Sequence, residues 1–503
     1  MSAPTLRRQA LATLLPTFPG IEPPTWALRL VAEGLAGFSL FGYNIADRSQ
    51  LAALTASLRS ARPDVIIATD EEGGDVTRLS YAEGSPYPGN AALGVVDDVA
   101  ITRAVYRAIG AELAAAGITL DMAPAVDVNS AEDNPAIGTR SFGADPQRVA
   151  AHTAAAVHGL QEAGVAACAK HFPGHGATAI DSHLELPVVD ASAPVLRGRE
   201  LPPFAAAIEA GARAIMTAHI RVPELTGLLP ATFSPAVLVD LLRGELRFTG
   251  AVVSDALEMR GASAGIGVPE AAVRALIAGN DLLCFGGELG KSPDAAALAL
   301  VEATVTAIGE AVRHGRLSEQ RLAEAADRAA GLGGTPGPGT LADPGLDPRV
   351  REGAALGLSA ARRAIRLEGD LPAAHHKALL VQLESQPTMA VGQVPWGLAN
   401  VVTGVETMRV VERAGTDDLV VLVDEIVVRA GDRPVVVVSR DTHRHRWART
   451  LVETLIARHA GVVLVEMGWP ARWRPAGLRA YLATFGAAQA NAQAAIELLQ
   501  LGG

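Results

Sequence analysis

The chain has 503 residues, 49% of them apolar, and a formal net charge of -11. That length exceeds one ordinary core and points to two domains, while the acidic balance, with no basic stripe, argues against a nucleic-acid partner. No uninterrupted apolar run reaches the roughly 18 residues of a membrane span, and the N-terminal stretch lacks the apolar core and cleavage site of a signal peptide.

Cys168 and Cys284 lie inside apolar runs and read as buried thiols rather than a disulfide framework. The expectation is therefore a cytoplasmic protein with no membrane partner.

From the N-terminus, apolar runs that end in polar or glycine residues alternate with Ala- and Leu-rich stretches of helical period. The runs are Leu14 to Phe18 (the weakest), Leu35 to Phe41, Val65 to Ala68, Ile118 to Pro124, Ala166 to Lys170, Ala214 to His219, Ala251 to Asp255 and Asp281 to Phe285. Helical stretches between them include Arg148 to Ala163, Leu201 to Ala210 and Ala271 to Ala278. Continuous apolar strands alternating with helices imply a parallel sheet buried on both faces. About eight such units over some 330 residues suit a (β/α)8 TIM-type barrel better than a doubly wound sheet.

The run Gly331 to Gly339, rich in Gly and Pro, follows a helix and leads to Asp343-Pro344-Gly345, so it reads as a linker and not a phosphate loop. The expected division is a barrel domain over 1–330, a linker over 331–349 and a smaller α/β sandwich domain over 350–503. In the last, strands are expected at Ala378 to Leu383, Leu419 to Val423, Pro434 to Ser439 and Val462 to Met467, with helices over Trp447 to Arg458 and Gln489 to Leu499. Its one polar cluster, Ser439 to His445, reads as a solvated loop.

Chemistry gathers at the ends of the first-domain strands. Asp70, Glu71, Glu72 and Arg78 follow one run, then come Asp121, Arg140, Lys170, His171, Asp181, His183, His219, Asp255 and Glu258. In a barrel such positions converge on one face. Three cations among carboxylates and imidazoles make a pocket for a small polyhydroxylated ligand, each hydroxyl held by a charged partner. Asp255 directly follows Ala251-Val252-Val253-Ser254, where a carboxylate must be paired or catalytic to offset its desolvation. Asp181 stands two residues from His183, close enough to orient an imidazole that donates protons near neutral pH. A salt-bridged structural Asp and a surface Asp-Ser-His turn fit those two patterns equally well. A metal site from His171, His175, Asp181 and His183 lacks the usual ligand spacing, so neither metal nor cofactor is expected.

The run Lys170-His171-Phe172-Pro173-Gly174-His175-Gly176 with Asp181-Ser182-His183 resembles the signature of glycoside hydrolase family 3, in its bacterial β-N-acetylglucosaminidase branch and two-domain form. Asp70-Glu71-Glu72-Gly73-Gly74 with Arg78, Thr139-Arg140-Ser141-Phe142-Gly143 and Val253-Ser254-Asp255-Ala256-Leu257-Glu258-Met259 agree in order. The resemblance covers about residues 30 to 330. It implies a retaining exo-enzyme that hydrolyses terminal β-linked N-acetylglucosamine from cell-wall or chitin-derived fragments, acting on a small carbohydrate as a monomer or homodimer. It assigns Asp255 as nucleophile, His183 as acid/base and Asp181 as its orienting partner. Asp70, Arg78, Arg140, Lys170 and His171 would hold the sugar.

A neutral imidazole base does not repel anions, so phosphate could replace water and make the enzyme a phosphorylase. A β-glucosidase is disfavoured, because those members usually take their acid/base from the second domain. A silent sugar-binding protein is disfavoured by the intact Asp255 and His183. The sequence departs from the family at Asp75, where a basic residue is usual, and at Glu71, where a neutral amide is common. Both are expected to make the pocket mouth more acidic.

Overall fold

Short apolar runs bounded by glycine and polar residues become strands here because both of their faces are covered. The computed structural model describes residues 2–178, 186–287, 293–334, 348–412 and 416–502. Its contacts divide the chain into two units, one of residues 1–72, 99–137 and 143–351, the other of residues 73–98, 138–142 and 352–503.

The first unit carries β1 (Leu14–Leu15), β2 (Gly37–Leu40), β3 (Ile66–Thr69), β4 (Leu120–Asp121), β5 (Ala166–Phe172), β6 (Ala214–Thr217), β7 (Ala251–Ser254) and β8 (Leu283–Cys284). All pair in parallel, β2 to β7 in chain order and β1 with β8. The two seams are also bonded. The Ser39 amide donates to Pro16 O at 2.9 Å, and the Ser254 amide to Leu282 O at 2.9 Å. The ring is therefore closed, as in a (β/α)8 barrel. Its interior is built from small and medium side chains of successive strands, among them Ala68, Leu120, Ala166, Cys168, Ala214, Met216, Ala251 and Val253. Ala329 and Leu332 join this core from the end of the helix Glu319–Ala330.

The helix Pro146–Glu162 buries Val149, Ala156, Val157 and Leu160, and Asp145 caps it by accepting the Gln147 and Arg148 amides at 2.8 and 3.1 Å. The helix Asp294–Arg313 is, by length and composition alone, apolar enough to cross a membrane. In the fold it buries Ala297, Val301, Val305 and Ile308 at helical spacing and packs on the helices Ala3–Leu11 and Gly267–Ala278.

At the amino-terminal end of the strands, just before β8, Asp281 is fully buried. It meets Arg243 at 2.6 Å, Arg321 at 2.7 Å and Arg328 at 3.3 Å, and accepts the Val252 amide at 2.9 Å.

The second unit is an α/β sandwich around β9 (Arg366–Gly369), β10 (Leu379–Glu384), β11 (Thr407–Val411), β12 (Val435–Ser439), β13 (Val462–Glu466) and β14 (Ala480–Ala483), in the order β11-β10-β12-β13-β14-β9. Only β9 is antiparallel, at one edge. Alternation along the strands feeds two cores. Val381, Val437 and Leu464 face the helices Thr416–Ala430 and Arg446–Arg458, while Leu380, Val436 and Val463 face the helix Gln489–Leu498.

One expected strand is a helix. Leu419 to Val423 lies within Thr416–Ala430. The β-branched valines favour a strand locally, but Leu419, Leu422, Val423, Ile426 and Ala430 recur at helical spacing and turn to one core. In its place β11 pairs with β10, with Met408 and Val410 buried and Arg409 and Val411 exposed.

Candidate active site

The carboxyl ends of β3, β4, β5 and β7 position the acidic and basic side chains of the first unit. Lys170, only 2% exposed, reaches Asp70 Oδ1 at 2.6 Å and Glu72 Oε1 at 2.7 Å. A buried ammonium needs such partners, and two carboxylates hold it while Asp70 stays 19% exposed toward the mouth. Asp121, at the end of β4, accepts the Glu71 amide at 2.9 Å and so fixes the turn that carries this group. Burial pushes the Asp121 carboxyl well above its ordinary range, against the Glu71 amide bond.

His171 donates its backbone N–H to Asp127 Oδ1 at 3.3 Å, and its Nδ1 lies 2.8 Å from Asp127 Oδ2. The His175 amide donates to Asp127 Oδ1 at 2.6 Å. His175 Nδ1 meets the Thr178 hydroxyl at 2.7 Å. Burial acts to raise Asp127, but the charges and hydrogen bonds of His171 and His175 outweigh it, and its carboxyl lies below the usual range. Asp127 is thus an anion that fixes the whole 171–175 loop. Sequence reasoning passed over it. Its signal was a lone carboxylate among Ala125, Val126 and Val128, all fully buried.

Beneath the same loop, Gly174 has φ of +126°, and a Cβ there would stand 2.6 Å from Glu200 Oε2, so only glycine fits. Glu200 is buried and held by Arg199 at 2.5 Å. Burial pushes its carboxyl up to about 7, opposed by Arg199 and reinforced by Asp127.

Asp255 follows β7, partly exposed, with its amide donating to Thr217 O at 3.3 Å and its Oδ1 accepting the Ala256 amide at 2.8 Å. His219 lies 3.0 Å through Nε2 from Ala256 O, so this nitrogen donates; Nδ1 meets the Thr232 hydroxyl at 2.8 Å. The His219 ring thereby secures the turn after Asp255.

Asp70, Lys170, His171 and Asp255 all belong to the first unit, and the structure brings Asp70 and Lys170 into contact. Arg78 and Arg140 belong to the second unit. Arg78 donates to Ala390 O at 2.8 Å, and the Arg140 carbonyl accepts from Asn90 Nδ2 at 2.7 Å. Asp181 and His183 lie outside the described residues.

Two sequence expectations change. Asp75 is buried, not spread at a mouth. It accepts the Thr139 hydroxyl at 2.8 Å and the Ala487 amide at 2.8 Å, with Arg440 at 3.9 Å. Glu71 is likewise only 3% exposed. The Ser439 to His445 stretch is a built turn rather than a solvated loop. The Asp441 and Thr442 amides and the Thr442 hydroxyl converge on the buried Glu466, and Arg440 stacks over Trp396 at 4.7 Å.

Residues 26–332 match the model of the glycosyl hydrolase family 3 N terminal domain. Over 257 residues the chain is 40% identical to a beta-hexosaminidase of Stenotrophomonas maltophilia, a match spanning 50% of this chain and 76% of that protein. Over 332 residues it is 33% identical to beta-hexosaminidase A of Pseudoalteromonas piscicida, spanning 62% of this chain and 55% of the relative's length. A solved glycoside hydrolase family 3 beta-N-acetylglucosaminidase from Paenibacillus sp. str. FPU-7 superposes with a TM-score of 0.83 at 30% identity, covering 98% of this chain and 96% of that one.

Proposed function

The chain belongs to glycosyl hydrolase family 3, and from that premise we propose that it is a retaining exo-β-N-acetylglucosaminidase acting on terminal β-linked N-acetylglucosamine of cell-wall or chitin-derived fragments. The observation that carries this reading is the placement of Asp255 at the carboxyl end of β7, with its turn secured through Ala256 by His219. The likeness to the Paenibacillus beta-N-acetylglucosaminidase across nearly the whole chain supports the choice of sugar.

In this mechanism Asp255 attacks the anomeric carbon as His183 protonates the departing oxygen, giving a covalent glycosyl-aspartate. His183 then removes a proton from water, which attacks the same carbon and frees Asp255. Two inversions give net retention. Asp181 orients the His183 ring. Asp70 and Lys170, with His171 held by Asp127, grip the sugar from the β3 and β5 sides.

The test is hydrolysis of 4-nitrophenyl N-acetyl-β-glucosaminide with and without inorganic phosphate, identifying the sugar released. Free N-acetylglucosamine, first formed as the β-anomer, in both conditions is the expected outcome. A sugar 1-phosphate formed faster in phosphate would replace hydrolysis by phosphorolysis. An α-anomer would exclude the covalent intermediate.

A further inference from the structure

Register and alternation decide which side chains point into the mouth of the barrel. Ala68, Cys168 and Val253 lie in the barrel core, so two residues further on Asp70, Lys170 and Asp255 point into the mouth. On β2 the partner of Ala68 is Ser39, and that of Thr69 is Leu40. Paired residues of parallel strands face the same side. Phe41 continues β2 in extended form, at φ -112° and ψ 172°, and so takes the inward place beside Asp70. An aromatic ring thus stands in a row whose members on β3, β5 and β7 are charged.

The ring is fixed from several sides. The Phe41 amide donates to Asn44 Oδ1 at 3.0 Å, and the buried Asn44 donates through Nδ2 to Phe18 O at 2.9 Å and Gly20 O at 2.7 Å. Tyr43 stacks on Phe41 with centroids 5.5 Å apart and planes 10° from parallel. The Tyr43 hydroxyl meets the Thr17 hydroxyl at 3.1 Å and donates to Gly287 O at 3.3 Å. A Cβ on Gly287 would lie 3.2 Å from Phe41 Cζ, so this glycine closes one edge of the ring. One face and one edge are covered. The other face makes no ring contact among the described residues, and Phe41 is partly exposed. A partly exposed phenylalanine on an open surface calls for no explanation. One held rigidly in register with Asp70 does.

We propose that Phe41 is a substrate-binding residue whose uncovered ring face packs on an apolar face of the N-acetylglucosamine seated against Asp255. A β-linked N-acetylglucosamine in its chair form carries its substituents equatorially. Its hydroxyls point outward near the ring plane, where charged groups such as Asp70 and Lys170 take them, and its axial C–H groups make both faces apolar. A pocket for such a ligand needs a few placed polar groups and an apolar wall, and an aromatic ring supplies the wall with little loss of freedom when it is already held. Tyr43 backs the ring so that it does not turn aside. The contact is made with the bound sugar before and during reaction alike, so it acts on binding rather than on the chemical step.

This inference rests on the proposed glycosidase reading, and the experiment separates the two. Wild type and Phe41→Leu are compared on 4-nitrophenyl N-acetyl-β-glucosaminide for KM and kcat, with N-acetylglucosamine as a product inhibitor and melting temperatures to confirm folding. Leucine keeps an apolar side chain for packing but offers no ring face. Phe41→Leu should raise KM and the inhibition constant of N-acetylglucosamine about 3–10-fold, the size of an aromatic contact beyond its buried area, with kcat within about twofold of wild type. Proton NMR adds a readout that a packing role would not move. The C–H protons of N-acetylglucosamine should shift upfield on titration with wild type, by the ring current, and much less with Phe41→Leu. An active wild type whose KM and inhibition constant are matched by Phe41→Leu overturns the assignment. So does a fall in kcat at unchanged KM, which would make Phe41 a support for the catalytic groups. If Phe41→Leu fails to fold, Phe41→Met takes its place, and if neither folds, the absence of an upfield shift with wild type overturns the assignment alone. A wild type that releases no sugar defeats the glycosidase reading instead, and this assignment with it.

Discussion

At the amino ends of the barrel strands, Asp281 is surrounded by three arginines and a backbone amide. At the carboxyl ends, Lys170 is shared by two carboxylates, and Asp121, Glu200 and Glu258 each keep an oxygen without a hydrogen-bond partner among the described residues. Both ends bury acids, so burial alone does not distinguish them. What differs is the balance of charge. The lower end has more cations than acids and every acid oxygen engaged, which is how a fold is held. The upper end has more acids than cations, and burial pushes several of their carboxyls up, which is the balance expected of a site that meets a ligand.

The comparison is sharpened by substitutions whose effects should separate activity from stability. Asp255→Ala is expected to lower kcat on the order of 10⁴-fold while the melting temperature stays near wild type; a retained rate would move the nucleophile elsewhere. Asp281→Ala should do the reverse. Leaving three arginines without their shared anion should cost about 3–5 kcal/mol of unfolding free energy, read by urea denaturation, with kcat per folded molecule unchanged. If activity fell and stability held, the two ends would not divide their tasks in this way.

Glu200 supplies a test by pH. Its folded carboxyl titrates at about 7 against an ordinary 4.5. The stability it contributes is full below 4.5 and is lost as pH rises through 7. Glu200→Gln should therefore remove about 3 kcal/mol of the decline in stability between pH 4.5 and 8, measured as the difference between the two proteins' denaturation curves. Equal slopes would mean that Glu200 titrates alike in the folded and unfolded chain. The smallest effect is expected from Asp127→Asn, which leaves the fold intact but loosens His171 and His175. A loss of roughly 10–100-fold in kcat/KM suits a group that only orients a working residue, and no loss would make the 171–175 loop independent of it.

Much of the barrel was legible because its strands are continuous apolar runs punctuated by charge. Even β1, the weakest run, forms at Leu14–Leu15. The second unit was harder. Its helix Thr416–Ala430 is so rich in valine that local preference pointed to a strand, and β14 is a short Ala-Tyr-Leu-Ala stretch that a reader of hydropathy passes over. The acids and bases at the strand ends were found by position alone. Two of their partners were not, because Asp127 acts on His171 from 44 positions away in sequence, and Glu200, paired with its neighbour Arg199, stands at no strand end to mark it. Asp75 looked like a change of surface charge, and only its Thr139 and Ala487 partners reveal a buried strut.

The second unit is drawn from three separated stretches, so the polypeptide passes between units at 72–73, 98–99, 137–138, 142–143 and 351–352. A graft of a relative's carboxy-terminal region at residue 352 alone would therefore be no clean exchange of modules. The newcomer would have to accept Pro86 where Gly357 now leaves room for it, since a Cβ there would stand 2.2 Å from the Pro86 carbonyl oxygen. It would also need a backbone amide for Asp75 in the place of Ala487. Chimeras of this architecture must carry 73–98 and 138–142 along with the carboxy-terminal segment. By the same connectivity Arg78 and Arg140 travel with that segment, so recombination that respects the units moves both guanidinium groups with it.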